Sequence, residues 1–322
     1  MTNFILARVL ALIPVLFGIS VIAFFSLAFC PGDPAEMALA RLMDTESPPR
    51  EAVKELRRKL GYDRPLPVRY SMWLSRILKG DLGSSVQSGR PVFKEVKKAM
   101  TASLELAASA MLVTIVLVLG LGVLSAVYAG SFFDFSVLGL SLVGITLPDF
   151  FLAVLGILFF SVYLNWLPVG GHGSLLNLIL PTMTLAAVNS VVAIRLMRTS
   201  MLQTLGSRYL LTARAKGLRE TAVISRHALR GALPPVVNYL GALTGHMLGG
   251  AVVVETIFMW PGIGRLLVEA VRSRDVFVVQ GCVLAIGIAY VLVNLGVDIL
   301  HAVLDPRIRN GEEGLDANTG KT

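Results

Sequence analysis

Charge is scarce in this chain. Asp, Glu, Lys and Arg make up 16% of its 322 residues and 55% are hydrophobic, whereas a soluble globular protein carries about a quarter charged residues. A buried core does not account for that deficit, but a lipid-facing surface does. Histidine and cysteine are rarer still, with four and two residues, and they form no local metal cluster. Neither H-E-x-x-H nor G-x-S-x-G occurs, so no nucleophile–base or metal constellation marks an enzyme. The last nine residues, "GLDANTGKT", mimic a phosphate loop, but Gly314 and Gly320 stand one residue too far apart and no helix follows to face a phosphate. The net charge of +8 lacks a basic helix interleaved with base-stacking aromatics, which argues against nucleic-acid binding.

Long apolar runs are abundant instead, and mean hydropathy is +0.72. Six of them, at 9–29, 103–128, 135–163, 177–197, 236–258 and 279–304, reach the ~18 residues needed to cross a bilayer. Each is helical by default, because a lipid-exposed segment must satisfy its own backbone hydrogen bonds. The expected fold is therefore an all-α polytopic membrane protein with six transmembrane helices. Pro234 and Pro235 would suit the first turn of the fifth, where a missing amide donor costs nothing. The first run is too long for a signal-peptide core, and Phe29 occupies the place where a small residue should precede Cys30 in a lipoprotein signal. Cys30 and Cys282 lie at ends of runs one and six that share a side. A disulfide is geometrically conceivable, and small buried hydrophobes are the plainer reading.

Six spans place both termini on one side together with loop 198–235, which holds seven basic residues against one acid. On the other side, residues 164–176 hold no basic residue and 259–278 hold three (Arg265, Arg272 and Arg274), so the positive-inside rule makes the termini cytoplasmic. Residues 31–98, with fourteen basic and nine acidic residues, then lie outside and are long enough to be exempt from that rule. They read as a folded cap. "PGDPAEMALARLMD" starts a short helix, "PREAVKELRRKLG" is a helix closed by Gly61, and "VRYSMWLSRILKG" aligns Tyr70, Trp73, Leu74, Ile77 and Leu78 on one face. Such helices lie on the membrane surface, cover neighbouring spans or offer a docking surface to an outside partner. One membrane domain, 1–308, precedes a polar tail, 309–322.

Loop 198–235 is longer than joining two spans requires. "SRYLLTARAKGLRETAVISRHALRGALPP" holds two helix-compatible pieces separated by Gly217, with Leu210, Leu211 and Ala213 able to face a groove while Arg208, Arg214 and Lys216 stay wet. An ordinary positive-inside loop would hold the same arginines. A short projecting helix is what a soluble motor would grip.

Four residues are polar in unexpected places. Asp149 follows Pro148 near the middle of the third run, where a charge costs ~2.5–3.5 kcal/mol, so it should face a cavity, a partner or a counter-charge, with a helix kink or a buried pair as the alternative to a place on the solute route. Asn189 in the fourth run and His246 in the fifth are weaker relatives, and together with Asp149 and Glu255 they are the candidate pathway residues. Gly241, Gly245 and Gly249 share a face and allow close helix packing, within the chain or against a second one. Asn294, Asp298 and His301, followed by Asp305-Pro306-Arg307, read as a latch at the inner end of the last run.

At the outer end of the fifth run, "VVVETIFMWPGIGRLLVEAVRSRD" places Glu255 at an apolar terminus, Trp260 at an interface and Pro261-Gly262 at a turn. A helix carrying Leu266, Leu267, Ala270 and Val271 on one face follows. A lid over a pathway, or a clamp between Glu255 and Arg265 or Arg272, would account for the corner.

Segments along nearly the whole chain resemble the permeases of binding-protein-dependent ABC importers, in the dipeptide/oligopeptide/nickel branch. They are "LIPVLFGISVIAF", "PGDPA", "LGYDRPLPVRY", "KGDLGSSVQSGRPV", "TASLELA", "SVYLNWLPVGG", "TARAKGL", "RHALRGALPPVV", "ETIFMWPGIGRLLVEAVRSRDVFVVQG" and "VNLGVDILHAVLDPRIR". Of the Glu-Ala-Ala-x-x-x-Gly coupling pattern, Ala213 and Gly217 fit, while Leu211 and Thr212 replace the first two residues. The resemblance implies a non-catalytic subunit in a bacterial or archaeal cytoplasmic membrane. Its ATPase contacts would be Tyr209, Leu210, Ala213, Arg214, Ala215, Lys216, Gly217 and Leu218, within the handle 206–225. It further implies two partner ATPases that bind the ATP-Mg, with no cofactor in this chain, a second homologous permease and an extracytoplasmic solute-binding protein. Di- or oligopeptides are the expected cargo and nickel or a metal chelate the alternative. A stand-alone secondary transporter or channel competes, but it would leave the long loop without a use.

Overall fold

In the computed structural model, residues 2–28, 36, 39, 43, 45, 48–61 and 63–304 are described. The helix expected over 31–44, Cys30, the side chain of His301, the Asp305-Pro306-Arg307 closure and the tail lie outside the described residues. Among those described, the chain is helical, with only an isolated bridge between Ser84 and Pro91.

The helices are α1 Thr2–Ala28, α2 Arg50–Leu60, α3 Leu66–Leu78, α4 Val92–Leu117, α5 Val123–Val127, α6 Phe132–Thr146, α7 Asp149–Gly156, α8 Leu175–Leu205, α9 Arg208–Ala215, α10 Glu220–Ala222, α11 Leu229–Gly250, α12 Val252–Ile257, α13 Ile263–Arg272 and α14 Val276–Leu304. Wider π turns join α4 to α5 at Val118–Gly122, extend α7 through Ile157–Tyr163 and join α10 to α11 at Val223–Ala228.

Four stretches are long and apolar enough to span a membrane, namely Arg8–Phe25, Val92–Val127, Leu175–Leu205 and Val276–Ile299. These match the first, second, fourth and sixth expected runs. The third run is not one straight helix. α6 and α7 meet at 108°, and the pair makes a fifth span only if counted together. The cause is Leu147-Pro148. The residue before proline is driven out of the helical region, and Leu147 sits at φ −84°, ψ 127°. The fifth run also departs from expectation, because helical backbone begins ahead of the prolines and stops at Ala251, dividing α11 from α12. Pro234 and Pro235 therefore lie inside α11 rather than in its first turn.

Of the described residues, those within 2–9, 104–260 and 292–304 make up one compact unit, and those within 10–103 and 261–291 make up the other. The core of the first is built on α8, the helix with the most extensive buried surface. Ala193, Ile194, Met197 and Met201 of α8 pack with Ala232 and Val236 of α11, and Ser200 Oγ donates to the Ala232 carbonyl at 2.8 Å. Gly241 packs against Val297 of α14, where an added Cβ would overlap Val297 Cγ1. Gly249 is open, with nothing near an added Cβ. Gly241→Ala is accordingly expected to cost about 1–3 kcal/mol by overpacking a β-branched neighbour, while Gly249→Ala costs nothing. Thermal unfolding in detergent checks the pair. At the end of α14, Asp298 meets Arg8 of α1 at 3.2 Å, an exposed contact consistent with a latch.

In the second unit α3 lies on aromatic and apolar side chains of α1 and α14. Trp73 is buried, its ring is 5.5 Å from that of Phe24, and its indole donates to Gln280 at 3.2 Å. Tyr70, Leu74 and Ile77 join that face as expected, but Leu78 points away and is 79% exposed. On α13, Leu266, Leu267 and Ala270 pack with Val92, Val96 and Cys282, whereas Val271 is exposed. Cys282 is a buried free thiol.

Candidate functional site

The loop after α8 folds as a helical hook. Gly206 ends α8 and Ser207, in extended backbone, starts α9. Gly217 adopts φ 76°, a left-handed conformation that glycine enters without steric cost. Its amide donates to the Arg214 carbonyl at 2.9 Å, closing the helix. The chain then turns into α10 and the π segment that leads to α11.

One face of α9 is fixed to the core. Leu210 is fully buried and Ala213 nearly so, packed in the cluster that contains Met201, Val223, Ala228 and Ala232. Tyr209 reaches across to the π segment. Gly231 leaves room for its phenol, since an added Cβ there would lie 2.5 Å from Tyr209 Oη. The rest of the hook is open, with Tyr209 and Leu211 flanking Leu210 at 51% and 59% exposure and Leu218, in the turn after α9, at 42%. Ala215 and Lys216 are exposed beside them. The expected grouping is thus corrected: Leu210 and Ala213 hold the hook in place, while Leu211 turns outward. An apolar–basic surface on a helix whose far side is bolted to the core suits a partner rather than water.

Arg214 holds Glu220 through a two-pronged ion pair, Nε to Oε2 at 3.1 Å and Nη2 to Oε1 at 2.7 Å. The Arg214 hydrogen bond keeps the Glu220 carboxyl below its ordinary value of 4.5. A depressed carboxylate pKa gives ordering that is complete above that ordinary value and lost as pH falls through the lowered one. A nitroxide at Lys216 should therefore show constant mobility from pH 8 to 5 and loosen only in stronger acid, whereas Glu220→Gln should loosen it throughout.

The four pathway candidates are scattered. Asp149 opens the first turn of α7 at the 108° bend and is exposed. It is not at the middle of a continuous helix, and the amino-terminal end of α7 favours its charge. Asn189 donates to the Leu185 carbonyl at 2.8 Å and His246 is exposed on α11. Glu255 is fully buried, and its carbonyl accepts the Trp260 amide at 2.8 Å. Trp260 is buried as well, against the expectation of an interfacial ring. Its ring and that of His172 meet edge to face with centroids 4.7 Å apart, and the Gly171 amide donates to the Phe258 carbonyl at 2.8 Å. Loop 170–172 therefore seals this corner, and His172 Nε2 also reaches Glu105 at 3.4 Å.

Sequence reasoning missed the most elaborate polar cluster. Asp134, 1% exposed, accepts both prongs of Arg198, at 2.6 and 2.7 Å, together with Ser125 Oγ and the Gly130 amide. The available signal was Ser131-Phe-Phe-Asp134, a capping sequence at the start of an apolar run; Ser131 indeed caps α6 through the Asp134 amide. In the second unit, Ser85 donates to the buried Asp275 at 2.6 Å. Beside them a cleft of about 360 Å³ is lined by Glu95, Lys98, Arg265 and Glu269, with Arg265 paired to Glu269 at 2.7 Å.

Two family profiles match. The one described as the inner membrane component of binding-protein-dependent transport systems covers residues 100–310, and its N-terminal companion covers residues 1–117. The glutathione transport system permease protein GsiC of Pectobacterium atrosepticum is 40% identical over 309 residues, spanning 96% of this chain and 99% of that protein. The protein of the same description from Escherichia coli K12 is 38% identical with the same coverage. A crystal form of the inward-facing MetNI methionine ABC transporter shares the fold, with a TM-score of 0.52 at 17% identity over 65% of this chain and 96% of that one.

Proposed function

Since the chain belongs to the family of inner-membrane components of binding-protein-dependent transport systems, we propose that it is one permease half of an ABC importer for short peptides. The observation that carries this reading is the hook: α9 offers Tyr209 and Leu211, and the turn after it Leu218, to the outside, while Leu210 and Ala213 tie it to the core of α8 and α11. An ATPase gripping the outer face would move both long helices through close-packed contacts, and packed cores transmit such shifts. ATP-Mg belongs to two partner subunits, and their binding energy favours one state of the permease over the other. A second permease completes the route.

With α6–α7 taken as the third span and α11–α12 as the fifth, both termini and the hook lie in the cytoplasm. The excess of seven basic residues over one acid in 198–235 supports this side. The polar cleft beside Asp275 then faces outward, where its charges of both signs suit the docking of a solute-binding protein. For the cargo, the glutathione relatives favour small peptides over nickel, since glutathione is itself a tripeptide.

The test is uptake into proteoliposomes holding this chain with its second permease, its ATPases and its binding protein. ATP-dependent uptake of di- or tripeptides, glutathione among them, is expected, with none driven by an ion gradient alone. Gradient-driven uptake by this chain without ATPases would overturn the proposal.

A further inference from the structure

Arg195 lies inside α8, a helix of membrane-spanning length that contains no acidic residue. The side chain is half-buried, and its Nε is sealed from solvent with no hydrogen-bond acceptor. That is an unusual state for an arginine. A buried donor without a partner keeps its full desolvation penalty, and a guanidinium at the inner end of a span faces protein, water or headgroups rather than lipid tails. Its neighbour one turn on, Arg198, is committed to Asp134, whereas Arg195 makes no ion pair among the described residues.

The face that carries Arg195 is open. Val192, Thr199 and Gln203 stand three before, four after and eight after it, all on one side of the helix and all exposed. Thr199 and Gln203 continue this side of α8 into the cytoplasmic loop, so Arg195 stands at the inner mouth of the span, where it bears one unneutralised cation. The fixed stem argues against an arginine stretched toward headgroups, because Nε is held against protein.

We propose that Arg195 is the cationic ligand for the solute's carboxylate on the translocation route. This rests on the peptide-importer reading above, since every unmodified short peptide ends in a carboxylate, and it names a contact within that function. A guanidinium fork takes a carboxylate by two parallel hydrogen bonds, a geometry that lysine lacks.

The experiment compares one tripeptide with its C-terminal amide in the reconstituted four-component system. For Arg195→Gln, uptake of the free acid is expected to fall about ten- to hundredfold, the range for charge-assisted hydrogen bonds. Uptake of the amide should stay within about twofold of wild type, and Arg195→Lys should be intermediate for the acid. Equal losses for acid and amide would point to a lipid phosphate or a carboxylate of the second permease and would overturn the assignment, as would no loss at all. If the binding protein refuses the amide, equilibrium dialysis of the free acid against the assembled complex without binding protein decides. Binding that Arg195→Gln abolishes supports the site, and unchanged or absent binding overturns it. Failure of the wild-type system to import any peptide would instead remove the importer reading itself.

Discussion

Replacing Asp134 with alanine should lower the stability of the chain by about 3–5 kcal/mol, the cost of leaving one partner of a buried ion pair uncompensated. The carboxylate is 1% exposed, while Arg198 is 21% exposed. Asp134 also satisfies Ser125 and the Gly130 amide, so one substitution orphans three donor groups across three chain segments. Arg198→Met in the same chain should recover much of the loss, because a buried pair exchanged for apolar side chains is often close to neutral. Thermal unfolding of the four members of that double-mutant cycle, in one detergent, measures the coupling. A neutral Asp134→Ala would mean that the cluster is not what holds α6 to α8.

The second large effect concerns function and spares the fold. Leu211→Asp places a charge in the centre of the outward face of α9, where leucine is 59% exposed and supports no core contact. Surface changes of this kind shift stability by about 0.5 kcal/mol or less. ATP-driven uptake should nonetheless fall about ten- to hundredfold, as expected when an interface anchor is lost. Leu210→Ala, one residue away, should show the opposite signature. It removes a fully buried side chain, costing about 2–5 kcal/mol, so its loss of transport is accompanied by a lowered unfolding midpoint, whereas that of Leu211→Asp is not. Unfolding midpoints and uptake rates measured side by side separate the two residues.

Those neighbours also show what was legible from sequence. Hydrophobic run length was enough for α1, α4, α8 and α14, because spanning a bilayer is a one-dimensional requirement. The hook was legible from its length and from Gly217. The facing of Leu210 and Leu211 was not, since adjacent residues diverge by about 100° around a helix and only the packed core decides which is buried. The bend at Leu147-Pro148 was announced by proline but submerged in a continuous apolar run. Asp134 and Arg198 are 64 residues apart, so their pairing is a tertiary fact, although the Ser131 cap hinted at the helix start. Arg195 stood within a run read as a span and went unremarked, because run-finding tolerates one charge. Trp260 resembled an interfacial anchor until loop 170–172 closed over it, a contact no local pattern encodes.

The most direct measurement of the hook's role is cross-linking. A single cysteine at position 211, in a chain whose Cys30 and Cys282 are replaced by serine, should form an adduct with the ATPase subunit in sealed membranes. It should also resist maleimide applied from the extracytoplasmic side. An adduct with the solute-binding protein, or labelling from outside, would contradict the assignment of α9 as the point where the motor takes hold.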